Sequence, residues 1–406
     1  MPTVRPSGLP TLRVTRKGAA RWAAGHPWIY RSDTLDRAED PGMARVTDER
    51  GRVLGQALYS PASEISLRLL EPTDLAVDRQ WWITRLNQCL TQRTGIDATA
   101  YRVVHGEGDG LPSLIVDRYD RWVVMQILSA GLETMRDDIV AAVRQVLDPA
   151  GILLRNDVTV RRHERLPEEI TLVYGSVPER VEVREGTVRY WAAPWTGQKT
   201  GAFLDQRENR LRAGRLTSPG GRALDCFAYH GSFALHMAAQ AAEVIALDVS
   251  EDALQRGSEN AALNGFPNIT WRLGDAFDVL KEMDRARERF DIIVVDPPAF
   301  AKSRDTVAGA LRGYNEVNRR AMRLLAPGGV LLTASCSFHV RRPDFEAMLA
   351  GAAADSTRRM VVVEHLGQGA DHPEVLTIPE TGYLKGMVLR AAHGGRPAFR
   401  DPGHSS

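Results

Sequence analysis

Four aspartates end short apolar runs in the second half of the chain: Asp225, Asp248, Asp275 and Asp296. If each run is a strand of an open parallel sheet, these carboxylates lie where such sheets bind ligands, outside the carboxyl ends of the strands. Asp248 follows Asp225 at close to the spacing of ~20 residues expected of an acid that binds ribose hydroxyls. Asp275, followed by Ala276 and Phe277, suits an adenine amine. A single aspartate at a strand end is more often a turn former than a ligand, but four in register are harder to dismiss.

The turn after the first run reads Asp225-Cys226-Phe227-Ala228-Tyr229-His230-Gly231-Ser232 and has one glycine. A nicotinamide dinucleotide would want G-x-G-x-x-G here, because a pyrophosphate needs close backbone approach at several positions. A cofactor with no pyrophosphate in its linker, such as S-adenosylmethionine, needs less. No Walker pattern is present, so NTP hydrolysis is not indicated. The run DIIVV leads into Asp296-Pro297-Pro298-Ala299-Phe300. Two prolines hold the chain extended and remove two backbone donors. Carbonyls and the Asp296 carboxylate can then face a nucleobase edge, with Phe300 as a stacking face. By contrast, Gly106-Glu107-Gly108-Asp109-Gly110 runs into a strand rather than opening a helix, and reads as a hairpin turn.

The elements that must position these residues alternate from Gly221 onward. Strands ALDCF, EVIALDVS, NITWRLGD, DIIVVDPP and GVLLTASCSF are separated by helices over 232–242, 251–264, 276–288 and roughly 308–325. Ser250 suits an N-cap and Gly265 a C′ position. MVVVEHLG and LKGMVLRAA close the series. Short apolar runs separated by helices predict a mostly parallel, seven-stranded α/β sheet covered on both faces. Upstream, residues 10–75 carry short β-like runs with Gly, Pro and Asp turns, the texture of a small β module. Residues 79–94 have helical spacing through Trp82, Leu86 and Leu90, and residues 100–190 read as an α+β module. Three domains follow, over 1–78, 79–195 and 196–392. The tail 393–406 has little to bury and is expected to be disordered.

The chain has 406 residues with 43% apolar and 25% charged residues, ordinary for a protein with a real core. No run approaches the ~20 apolar residues of a membrane helix, and the first residues lack a signal core, so a cytoplasmic protein is expected. Cys89, Cys226 and Cys336 form no C-x-x-C pair, and no metal site is indicated. The formal charge is only +1, but basic residues cluster at Arg5–Arg31, at Arg155–Arg165 and at Lys199–Arg215. Such clusters can follow a phosphate backbone or simply be solvated faces.

The runs Asp225–Gly231, Asp296–Phe300 and Ser335-Cys336-Ser337, with Asp248, resemble the motifs of class I S-adenosylmethionine-dependent RNA methyltransferases. Nearly the full length is similar to the ribosomal RNA large-subunit methyltransferase I family, which makes 5-methylcytosine in 23S rRNA. The resemblance extends through Trp28-Ile29-Tyr30, His105-Gly106-Glu107, Leu111–Asp117, Gly201–Arg207, Asp371-His372-Pro373 and Tyr383-Leu384-Lys385-Gly386. Ala299 before Phe300 and the loop Phe338–Arg342 depart from the usual form.

What the resemblance implies is specific. The fold would be a Rossmann-like methyltransferase domain behind a PUA-like RNA-binding domain and a central domain. S-adenosylmethionine would be held by Phe203, Asp205 and Arg207, by Asp225, Phe227, Ala228, Gly231 and Ser232, and by Asp248, Val249 and Ser250. Asp275, Ala276, Asp296 and Pro297 would complete that site. The partner would be 23S rRNA, without membrane or metal, and a homodimer stays open. Carbon 5 of cytosine is a poor nucleophile, and a cysteine adding at C6 turns the ring into an enamine. Cys336 would be that nucleophile and Asp296 would hold the N3/N4 edge, although most cysteines are only small buried residues. Two other readings stay open: a guanine-N2 methyltransferase, which needs no cysteine, and a non-catalytic RNA-binding or assembly factor.

Overall fold

The computed structural model describes residues 8–301 and 304–392; the tail 393–406 lies outside the described residues. The chain divides into two compact units. One gathers Met1–Glu185, Trp191–Asp205 and Gly369–Gly382, the other Gly186–Tyr190, Gln206–Gln368 and Tyr383–Ser406.

The first unit is built on two five-stranded sheets. One runs in the order Thr11–Arg13, Gly42–Thr47, Val53–Tyr59, Ile65–Glu71, Trp28–Tyr30. Its core holds Leu12, Val14, Trp22, Ile29, Val46 and Leu67. A helix over Arg16–Ala23 interrupts the expected β texture. Thr15 caps it by accepting from the Gly18 amide, and Trp22 is its inward anchor. A run so basic, with a glycine inside, carries little helical periodicity, so its packing and its cap decide its structure.

The second sheet runs Ile170–Gly175, Gly151–Arg155, Trp122–Ile127, Leu114–Tyr119, Ala100–His105. Helix Arg136–Leu147 is the crossover between its parallel pair, Trp122–Ile127 and Gly151–Arg155. The Gly106–Asp109 turn joins antiparallel strands, as a hairpin connection should. Helix Arg79–Gln92, capped by Asp78, buries Trp82, Leu86 and Cys89.

These two sheets share a core, since Leu58 and Leu70 of the first pack with Trp81, Trp82 and Leu132. Arg68 donates to Glu164 at 2.8 Å with both side chains buried, and the second Glu164 oxygen accepts from the Ala130 amide. A Cβ on Gly131 would stand 2.8 Å from the Tyr59 carbonyl oxygen, so the backbones meet where only glycine fits.

The second unit carries the seven-stranded sheet, and its elements are numbered here. The strands are β1 (Arg222–Cys226), β2 (Glu243–Asp248), β3 (Ile269–Leu273), β4 (Phe290–Val295), β5 (Leu325–Ser335), β6 (Met360–Leu366) and β7 (Lys385–Ala391). Their order is β3-β2-β1-β4-β5-β7-β6. Pairing is parallel through β5, and β7 is antiparallel to both neighbours. The helices are α1 (Arg207–Leu216), α2 (Ser232–Ala238), α3 (Glu251–Asn264), α4 (Ala276–Arg285), α5 (Val307–Leu324) and α6 (Arg342–Ser356). Ser250 caps α3 and Gly265 ends it in the left-handed conformation. The sequence reading lacks α6, whose alanine-rich run offers weak periodicity. It buries Phe345, Met348 and Leu349 beside α5. Among the described residues no helix is long and apolar enough to cross a membrane.

Candidate functional site

The sheet order reverses at β1, which lies between β2 and β4, and ligands of such sheets bind at that switch point. Three of the sequence-selected carboxylates converge there. Asp225 lies inside β1 rather than after it, 1% exposed. Its Oδ2 accepts from the Ala234 amide at 2.9 Å, while Oδ1 is buried without a partner. Burial pushes this carboxyl well above the usual range, and the Asp296 and Asp248 carboxylates push the same way. Asp248 ends β2, and its two oxygens accept from the Tyr229 and Ser250 amides at 2.8 and 2.9 Å. Each oxygen keeps a lone pair for a further donor.

The turn after β1 obtains with strain what a glycine-rich loop obtains freely. Phe227, Tyr229 and Gly231 all have positive φ, at 65°, 50° and 80°. Non-glycine residues in this region cost about 1 kcal/mol or more each, and they gather at functional sites. Ala228 is buried and donates to the Leu247 carbonyl. A Cβ on Gly231 would fall 2.3 Å from the Trp271 ring of β3, so the helix start at Ser232 is tied to that strand.

Asp275 lies beyond β3 and caps α4, its Oδ1 accepting from the Phe277 amide at 2.7 Å, with Ala276 buried behind it. Val249 is 68% exposed beside Asp248. Val295 pairs with Thr333, so the ends of β4 and β5 lie side by side. Asp296 is the first residue past β4 and Cys336 the first past β5. Pro297 is buried. Phe300 packs among Phe227, Phe277 and Tyr314, with ring centroids 6.2, 6.1 and 4.7 Å away.

The cysteine loop is held by residues the sequence reading did not select. The Tyr314 hydroxyl of α5 lies 2.9 Å from Ser335 Oγ and 2.9 Å from Ser337 Oγ. Both serines are fully buried, whereas Cys336 between them is partly exposed. Cys89 and Cys226 are buried, and burial pushes both thiols up, that of Cys89 to about 12. Lys385 donates to the Ser337 carbonyl at 2.5 Å. Tyr314 is a mid-helix aromatic and carries no signal of its role in the sequence, but Lys385 lies in a motif already noted.

Phe203 and Asp205 belong to the first unit, where Lys199 Nζ lies 2.5 Å from Asp205 Oδ2 and 4.9 Å from the Phe203 ring centroid. Arg207 opens α1, buried and paired with Glu208. Two basic clusters lose members to the core. Arg161 is fully buried, held by Glu133 and by the Pro167 and Ile127 carbonyls, and Arg155 bonds Asp157 and the Pro194 carbonyl. Arg207 and Arg210 are buried as well. Arg16 and Lys17 remain exposed.

A family model described as S-adenosylmethionine-dependent methyltransferase matches residues 101–390, and a PUA-like domain matches residues 12–72. The chain is 40% identical over 380 residues to the ribosomal RNA large subunit methyltransferase I of Aeromonas hydrophila subsp. hydrophila, covering 90% of this chain and 95% of that one. The protein of the same name from Tolumonas auensis is 38% identical with the same coverage. Among solved structures, a Streptococcus mutans protein assigned as a SAM-dependent methyltransferase superposes with a TM-score of 0.79 at 20% identity, covering 94% of this chain and all of that one. Another protein assigned as a methyltransferase, solved with SAH, gives 0.81 at 21% identity with the same coverage. S-adenosylmethionine suits the residues present. Asp225 holds a buried oxygen in need of a donor, and Asp248 offers acceptors at the switch point.

Proposed function

The chain belongs to the ribosomal RNA large subunit methyltransferase I family, and on that premise we propose that it makes 5-methylcytosine in 23S rRNA, with Cys336 as nucleophile. It is an S-adenosylmethionine-dependent rRNA methyltransferase. The observation that supports the finer reading is the position of Cys336, the one partly exposed cysteine, at the end of β5 beside the end of β4 and Asp296.

Asp225, Asp248 and the strained Phe227–Ser232 turn would hold the cofactor, with Val249, Ser250, Asp275, Ala276 and Pro297 bordering it. S-adenosylmethionine, when bound, supplies a methyl group on a sulfonium. Phe300 stacks the target base and the Asp296 carboxyl holds its N3/N4 edge. The Cys336 thiolate adds to C6, and the electron pair of the C5–C6 double bond shifts so that C5 becomes nucleophilic. Once C5 carries its methyl, a base removes the C5 proton. That electron pair restores the double bond as the C6–sulfur bond breaks and the thiolate leaves.

The test is product identity. 23S rRNA lacking the modification is incubated with the protein and labelled cofactor, then digested to nucleosides. Labelled 5-methylcytidine is expected. Labelled N2-methylguanosine would overturn the reading, and an absence of transfer would favour a non-catalytic RNA-binding factor.

A further inference from the structure

Lys385 has no part in the mechanism above, yet it brackets Cys336. It opens β7 in register with Ser335, the residue before the cysteine. Its Nζ donates to the carbonyl of Ser337, the residue after it, at 2.5 Å, and to that of Tyr383 at 3.0 Å. Lys385 is 6% exposed, and placing an ammonium there is costly. Two carbonyls need only hydrogen-bond donors, which an uncharged amide supplies without that cost. A lysine at this position therefore calls for a use of its charge.

We propose that Lys385 is a positioning residue for Cys336, fixing the Ser335–Ser337 segment through the Ser337 carbonyl and holding a positive charge that favours the thiolate. The inference rests on Cys336 as the nucleophile. Burial, opposed by Cys336 and helped by Arg342, lowers the Lys385 ammonium to about 8, so the group is largely charged at neutral pH. Tyr314, which bonds both serines, is pushed up by burial and stays neutral there, while the Asp296 carboxyl past the end of neighbouring β4 bears on the thiol alike in every variant. When the thiol ionises, the S–H bond breaks and its proton passes to solvent. Lys385 keeps all three of its own. An opposite charge in such a position commonly lowers an acid's pKa by about 1–3 pH units.

Gly386, next in β7, shows how closely the strands approach, since a Cβ there would lie 2.7 Å from the Thr333 carbonyl oxygen. The lysine is thus carried by a stretch of strand that lies tight against β5 and is paired with it from Lys385 to Arg390.

The test is the rate of iodoacetamide alkylation of Cys336 against pH in the full chain, without RNA or cofactor. It is read by mass spectrometry on the Cys336 peptide, with buried Cys89 and Cys226 as internal controls. Lys385→Gln keeps donors for the carbonyls and removes the charge; Lys385→Arg keeps the charge. The alkylation midpoint is expected to rise by about 1–3 pH units in the Gln variant and to stay near wild type in the Arg variant. A Gln variant with the wild-type midpoint overturns the proposal, as does an equal shift in both variants, which would report packing alone. Methylation by Cys336→Ala at the wild-type rate would sink the nucleophile reading instead. It leaves the alkylation midpoints untouched, so the two failures are told apart.

Discussion

Asp225 is the last but one residue of β1 and Asp296 lies just past the adjacent parallel β4, and the negative charge of Asp296 helps burial hold the Asp225 carboxyl above its ordinary range. Native Asp225 therefore binds its proton more tightly than an unfolded aspartate, whose pKa is about 3.9. Between the two values the native state carries more protons, so stability falls as pH rises through that window and stays reduced above it. Asp225→Asn should raise the melting temperature of the cofactor-free protein at neutral pH, with the gain shrinking toward pH 4. The same variant should bind S-adenosylmethionine more weakly. Thermal scans across pH beside calorimetric titration check both halves.

Replacement of Cys336 by Ala or Ser should abolish 5-methylcytosine formation while cofactor and RNA binding persist. With 5-azacytidine at the target there is no C5 proton to trigger elimination, so the wild type should form an adduct that survives denaturation and the variants should not. Cys226→Ser and Cys89→Ser should lose at most some stability. Gel mobility of labelled RNA after denaturation reads the outcome.

Asp248→Ala should weaken S-adenosylmethionine binding by about 1.5–3 kcal/mol, the range for a hydrogen bond to a charged group. Calorimetry on the folded variant measures it; unchanged affinity would move the ribose contact elsewhere.

Tyr314→Phe removes one hydroxyl and leaves two buried serine hydroxyls short of a partner. An unsatisfied buried group costs about 1–3 kcal/mol, so a lowered urea midpoint is expected. A midpoint unchanged from wild type would mean that the serines find other partners.

RNA affinity should fall steeply with salt. Arg16→Ala with Lys17→Ala should flatten that dependence by about one unit of log–log slope for each phosphate no longer neutralised. Arg161→Ala should act differently. Its guanidinium is buried and paired with Glu133, so the loss should appear as about 3–5 kcal/mol of stability. Filter binding from low to physiological salt and chemical denaturation separate the two effects.

The strand–helix alternation after Gly221 was legible, α6 apart, because the apolar runs are short and caps such as Ser250 and Gly265 mark helix ends. The convergence of Asp225, Asp248 and Asp296 could be read from strand ends, since a parallel sheet puts those ends on one edge. Burial of individual arginines was not legible. Arg161 and Arg162 are neighbours of one type, yet one is a core donor and the other an exposed partner of Glu168. That difference depends on carbonyls supplied by distant segments. The Tyr314 contact with two serines was equally hidden, because a mid-helix aromatic reads as packing.

The close meeting of Gly131 with Tyr59, and the buried Arg68–Glu164 pair, bear on how this enzyme could be re-targeted. A module with its own core can be traded for another like a cassette, whereas this β module draws part of its interior from its neighbour. Grafting a foreign one would leave Glu164 buried without its cation and would set a new main chain against Gly131. Changes in RNA preference are therefore expected to accumulate by residue replacement on the outer face, around Arg16 and Lys17, rather than by recombination at the boundary.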